Sequence, residues 1–230
     1  MNDQNDTITT LRMKFERFGP VRYIGHLDML RYFQKAVMRA GINIRYSEGF
    51  NPHQIMSFAY PLGVSMETCG DYLDIDVLGP VDCDTVTRQM NSVMSEGIKI
   101  LKTTVVPKGA ANAMASVKAA DYLVHMMQAG MITEDVVDEF LRKEEIFIFK
   151  ESGKKQVSVD IRPGIYGLEI RENDMIFMKL ESGSERNIKV STVLEALSEI
   201  VLTPVTSDRV IRQEIYGRNE QGNLVPLGLV

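Results

Sequence analysis

What most constrains this chain is an order of apolar patterns that occurs twice along it. Alternating apolar residues mark strands and a three-to-four-residue spacing marks helices. The two periodicities follow one another as strand, helix, strands, helix, strand. ITTLRMKFERF supplies a first strand over 8–16. LDMLRYFQKAVMRAG is a helix on which Leu27, Leu30, Phe33 or Gln34, and Val37 share one face, with Gly41 placed to end it. INIRYS, IMSFAY and DYLDIDVLG read as strands, and the loop YSEGFNPHQ lies between the first two. CDTVTRQMNSVMSEG is a second helix capped by Asp82 or Asp84, and IKILKTTVVP closes the series as a strand.

After the small-residue stretch KGAANAMASV the order recurs. KAADYLVHMMQ is a strand, TEDVVDEFLRKE a helix and IFIFK a strand. QVSVDIRPGIYGLEIR and DMIFMKLES form a hairpin, KVSTVLEALSEI is a helix and DRVIRQEIYGR the last strand. The fold class expected is α+β: two tandem ferredoxin-like βαββαβ units, each an antiparallel sheet with two helices on one face. The expected boundaries are a disordered tail at 1–9, one unit at 10–107, a linker at 108–117 and a second unit at 118–230. The halves repeat in pattern only, so a single mixed domain with one extended sheet is the alternative.

A chain of 230 residues with 44% hydrophobic side chains can bury a full core. No apolar run approaches the ~18 residues of a membrane span, and the start MNDQNDTITT lacks the basic and apolar regions of a signal peptide. The expected location is the cytoplasm. Cys69 and Cys83 fit neither a disulfide framework nor a zinc or iron-sulfur site.

The net charge of −5 argues against indiscriminate coating of nucleic acid, but the charge is uneven. Residues 10–60 hold eight basic and three acidic side chains, whereas 61–100 hold two basic and seven acidic. The first segment also carries nine of the seventeen Phe and Tyr residues. Cations interleaved with aromatic rings suit single-stranded nucleic acid, whose phosphates pair with Arg or Lys while its bases stack. The competing expectation is that the rings are core and the charges solvated. Within the segment, Arg31, Lys35 and Arg39 recur every four residues on one helix face.

Candidate chemistry falls in two places. His26, in GHLD at the start of that helix, can face a phosphate beside exposed amides or can cap the helix; Asp28 suits the helix dipole. The loop YSEGFNPH gathers Tyr46, Ser47, Glu48, Phe50, Asn51 and His53 around Gly49 and Pro52. Ser47 and Asn51 can bond a base edge or simply make turns. A metal held by His26, Asp28, Glu48 and His53 would lack any HxxxH or HxH spacing, so neither a metal nor a cofactor is expected. His26 and His53 as an acid-base pair for RNA cleavage need no metal. Elsewhere, Arg162 in DIRPG faces a phosphate or pairs with Asp160, and His125 sits on an apolar strand. No Gly-rich phosphate loop, GxSxG or HExxH occurs.

GHLD, RAG, YSEGFNPH, SFA and PLGV, with a weaker echo at VDIRP, make residues 11–110 similar to the bacterial radical-SAM-linked protein family, a domain of unknown function. Members often carry a Pro and a basic residue directly after NPH, where this chain has Gln54 and Ile55. The resemblance implies association with a radical SAM enzyme. This chain lacks the three cysteines of such an enzyme, so the role implied is accessory or substrate-presenting. Three functions are therefore carried forward. The first is a non-catalytic module that binds RNA or a nucleotide-like substrate through His26, Arg31, Lys35, Arg39 and the loop from Tyr46 to His53. The others are an RNA-cleaving or RNA-modifying enzyme using His26 and His53, and a protein-interaction scaffold.

Overall fold

The computed structural model describes residues 7–152, 155–172, 174–184 and 186–230. Residues 1–6 of the expected tail lie outside the described residues. The fold is mixed α+β on mostly antiparallel sheet, and the chain divides into two compact units, 1–117 with 214–230, and 118–213.

In the first unit, β1 (Ile8–Arg17) is followed by α1 (His26–Arg39), the short β2 (Met56–Phe58), β3 (Glu67–Leu78), α2 (Cys83–Asn91) and β4 (Ile98–Val105). β1 pairs antiparallel with both β3 and β4, and β2 pairs antiparallel with β3, so the order is β4-β1-β3-β2. Strand alternation aims Leu11, Met13 and Phe15 of β1 and Leu73, Ile75 and Val77 of β3 into one core, which Phe33 and Val37 of α1 and Val86 and Met90 of α2 complete. Each such burial contributes about 1.5–3 kcal/mol. The rings of Phe15, Phe33 and Phe58 meet at centroid distances of 5.1 to 5.7 Å.

The buried stripe of α1 is Met29, Phe33, Ala36 and Val37; of the expected face, Phe33 and Val37 are buried and Leu30 is half-buried against the core, whereas Leu27 is 65% exposed and Met29 takes its place. Gly41 ends the helix as expected, with φ +69° and Ile42 N–H donating to the Val37 carbonyl. Asp82 caps α2 by accepting from Thr85 N–H. INIRYS and the loop that follows form no extended strand, only single bridges from Ile44 to Val77 and from Tyr46 to Gln54. The stretch 108–117 is not featureless. Asn112 caps the short α3 (Ala113–Ser116), and Ala113 is fully buried.

The second unit contains β5 (Ala119–Met126), α4 (Glu134–Arg142), β6 (Phe147–Ser152), β7 (Lys155–Asp160), β8 (Ile165–Arg171), β9 (Met175–Glu181), α5 (Val190–Val201) and the first part of β10 (Ser207–Arg218). Its sheet order is β10-β5-β9-β8. The expected single strand from QVSV to LEIR is two strands. Arg162–Gly164 form a turn between them, β7 pairs with β6 in a separate hairpin, and β8 pairs with β9. The remainder of β10 packs in the first unit, where 216–218 pair with β11 (Leu224–Pro226).

Candidate functional site

The basic excess of residues 10–60 is largely consumed inside the first unit. Arg12 stands opposite Asp74 across the β1–β3 ladder and binds both carboxylate oxygens, at 2.9 and 3.0 Å, while also donating to the Leu227 and Ala111 carbonyls. Arg17, 2% exposed, donates to the carbonyls of Ile24, Gly63 and Met66. Lys14 pairs with Glu214, Arg22 with Glu67 and Arg45 with Asp76. Asp74, Glu67 and Asp76 of the acidic 61–100 segment thus neutralise Arg12, Arg22 and Arg45 of its basic predecessor. What remains is α1: Arg31 pairs with Asp28 on the exposed surface, Arg39 donates to the Val93 carbonyl at 3.2 Å, and Lys35 is exposed with no ion-pair partner among the described residues.

The aromatic count shrinks in the same way. Phe15, Phe33 and Phe58 are core, whereas Tyr23, Tyr46 and Phe50 stand exposed.

The loop is closed at its base by hydrogen bonds of its own residues. Ser47 N–H donates to the His53 carbonyl, His53 N–H donates to Ser47 Oγ, and Ser47 Oγ lies 2.8 Å from His53 Nδ1. Gly49 turns the tip with φ +108°. Glu48, Asn51 and His53 are exposed, and the Phe50 ring projects fully into solvent with no apolar cover. The residue that fixes this loop is Gln54, which sequence reasoning passed over. It is 6% exposed, and its Nε2 donates to the Gln34 carbonyl on α1 and to Tyr46 Oη. A polar residue directly between an Asn-Pro-His turn and an apolar strand was the available signal. The loop is therefore tied to the middle of the helix that carries Arg31, Lys35 and Arg39.

His26 is placed elsewhere. Gly25, not His26, occupies the capping position of α1, and His26 is the first helical residue. Its ring meets Phe58 edge-on at 5.4 Å and borders a small depression with Arg17, Tyr60, Leu62 and Asp71. His53 lines a different and larger cleft. The two histidines are not brought together at either depression. Among the described residues no group of three His, Cys, Asp or Glu is arranged to hold a metal. Arg162 serves neither expected role: its guanidinium donates to the Leu141, Lys143 and Ile165 carbonyls, while Asp160 accepts from backbone amides. His125 is partly exposed and pairs with Asp208, which holds that carboxyl below its usual range.

The architecture defines a mixed α+β protein. The pattern of an uncharacterized protein family conserved in bacteria, DUF2344, matches residues 10–190, and the chain belongs to that family. No curated protein matches it. Among solved structures, a chain of a Cbf5-Nop10-Gar1 complex is 10% identical with a TM-score of 0.49, covering 89% of this chain and 48% of its own, so this chain spans about half of that one. An unknown protein from Galdieria sulphuraria is also 10% identical, with a TM-score of 0.29 over 87% of this chain and 98% of that one. No helix among the described residues is long and apolar enough to cross a membrane.

Proposed function

We propose that the chain is a non-catalytic accessory protein, built as two tandem ferredoxin-like units, that presents RNA or a nucleotide-like substrate to a radical SAM enzyme. The first unit does the binding. The observation that carries this reading is the Gln54 link between loop and helix. It ties the loop whose tip carries the uncovered Phe50 ring to α1, which bears the exposed Arg31, Lys35 and Arg39. A ring for a base beside cations for phosphates is the minimum that single-stranded nucleic acid needs. The enzyme reading draws no support from His26 and His53, which border separate depressions.

The test is retention of cellular RNA by the purified chain at low and high salt, beside the Arg31→Ala, Lys35→Ala, Arg39→Ala triple variant. The expected outcome is RNA that is lost at high salt. For the triple variant the slope of log affinity against log salt falls by about 2, roughly 0.7 for each cation removed. Equal retention by parent and variant would sink the reading. The partner is tested by crosslinking the chain to a co-expressed radical SAM enzyme, with and without RNA.

A further inference from the structure

The sheet of the first unit has a second face. Alternation turns Leu11, Met13 and Phe15 of β1 into the core against α1 and α2, and so turns Arg12 and Lys14 the other way. There Lys14 stands opposite Tyr72 of β3 and opposite Lys102 of β4. These side chains line a cavity of about 220 Å³, bordered also by Glu214 of β10 and by the chain around β11 at Pro226, Gly228 and Leu229. All of these residues belong to the first unit.

The hydrogen bonds already made leave this space facing side-chain donors. Arg12 is engaged by Asp74 and by the Leu227 and Ala111 carbonyls. Tyr72, 2% exposed, donates its hydroxyl to Glu214 at 2.7 Å and accepts from Gly228 N–H. A carboxylate offers about four lone-pair sites, and those of Glu214 already receive Tyr72, the Ile215 N–H and, at 2.6 Å, Lys14. Donors are left over. Lys14 retains two N–H groups, and Lys102 is exposed with no ion-pair partner among the described residues. The Thr104 hydroxyl, also on the cavity wall, reaches the Arg12 carbonyl only at 3.5 Å. Charge points the same way. Asp74 neutralises Arg12 and Glu214 neutralises Lys14, so Lys102 stays uncompensated, in register with another ammonium. Like charges directly opposite on a sheet destabilise it, and an anion beside them removes that cost.

We propose that this cavity binds a small free carboxylate. Its charge meets Lys102, which lies outside the basic block, and its oxygens accept from Lys102, Thr104 and the spare N–H groups of Lys14, which keeps its bond to Glu214. A short apolar body lies against the Tyr72 ring, Pro226 and Leu229. The volume is below the ~300–1,000 Å³ of pockets for drug-sized ligands, so the ligand is small. Glu214 on the same wall disfavours a dianion such as phosphate. The site lies on the sheet face turned away from α1 and goes beyond the RNA reading.

Butanoate is titrated onto the full chain and followed by calorimetry, beside its neutral counterpart 1-butanol, its cationic counterpart butylammonium, and inorganic phosphate. Butanoate is expected to bind saturably at millimolar concentration, about tenfold or more tighter than the other three, the value of a charge-assisted hydrogen bond. Lys102→Gln should erase that advantage, and Lys102→Arg should retain most of it. A merely structural lysine would not do what comes next. Without ligand and at low salt, Lys102→Gln should melt above the parent, and the gap should close near ~1 M salt, where charges are screened within about 3 Å. The α1 triple variant should bind butanoate as the parent does. No saturable binding of butanoate, unchanged binding by Lys102→Gln, or equal or tighter binding of 1-butanol or phosphate overturns the site. A Lys102→Gln chain that melts no higher than the parent overturns its electrostatic basis.

Discussion

Replacing Arg12 by Leu should be among the most destabilising single changes in the first unit. The guanidinium is 2% exposed and makes two bonds to Asp74 and one each to the Leu227 and Ala111 carbonyls. Its loss leaves the Asp74 carboxylate, 6% exposed, in the interior with Ala113 N–H as its remaining donor and without its counter-charge. Breaking a buried pair from one side costs about 3–5 kcal/mol. For a chain of this length, where 1 kcal/mol shifts the midpoint by about 2–4 °C, this amounts to a fall on the order of 6–20 °C. Asp74→Leu should cost a similar amount, because it strands Arg12 in turn. In the double variant no charge is left buried, so its loss should fall short of the sum of the single losses by about 1–3 kcal/mol. Urea unfolding followed by far-UV circular dichroism reads all three variants, and it suits a chain with no tryptophan. An Arg12→Leu loss below about 1 kcal/mol, or losses additive to within ~0.5 kcal/mol, would refute the claim that this pair is a buried unit.

Phe50→Ala should leave the melting temperature unchanged, because the ring is wholly exposed, while RNA retention falls by the equivalent of about 1–3 kcal/mol, the value of one stacked base. Gly97→Ala should destabilise far more than Gly49→Ala. Both glycines have positive φ, but a methyl at Gly97 would lie 2.5 Å from the Phe18 carbonyl oxygen, and one at Gly49 meets open space. Equal melting temperatures for the two variants would contradict this. Burial, and then the hydrogen bond from its hydroxyl to Glu214, push the Tyr72 phenol far above its ordinary range. The unfolded chain loses this proton near pH 10 and the folded chain keeps it, so the contribution is intact below about pH 10 and is lost as pH rises beyond it. Urea midpoints between pH 8 and 11 should therefore fall less steeply for Tyr72→Phe than for the parent.

The parts of the fold that rest on local periodicity were legible. Strand alternation in ITTLRMKFERF and DYLDIDVLG and the left-handed Gly41 after α1 depend on residues close in sequence, where side-chain direction repeats every two or 3.6 residues. Long-range partners were not legible. Residues 108–117 looked like a linker because small residues carry no periodic signal. Ala113 is nevertheless buried, since its amide is claimed by Asp74 on a strand 39 residues away. The first turn of α1 differs for the same reason: Leu27 and Met29 are equally plausible core residues until Phe58 and Phe15 are in place to receive one of them.

The charge pattern shows how one sequence signal fits two different objects. A basic block followed by an acidic block is the pattern of an electrostatic footprint, and also of two adjacent strands that neutralise each other. The antiparallel register decides between them by putting Arg12 opposite Asp74. Once Arg12, Lys14, Arg17, Arg22 and Arg45 are committed to partners or buried carbonyls, the cations of residues 10–60 that a ligand can recruit without breaking the interior are the three of α1. An anion drawn to the basic segment must therefore meet α1, to which Gln54 fastens the loop. Removing those three charges should weaken salt-sensitive binding while leaving the buried pairs, and the stability they maintain, untouched.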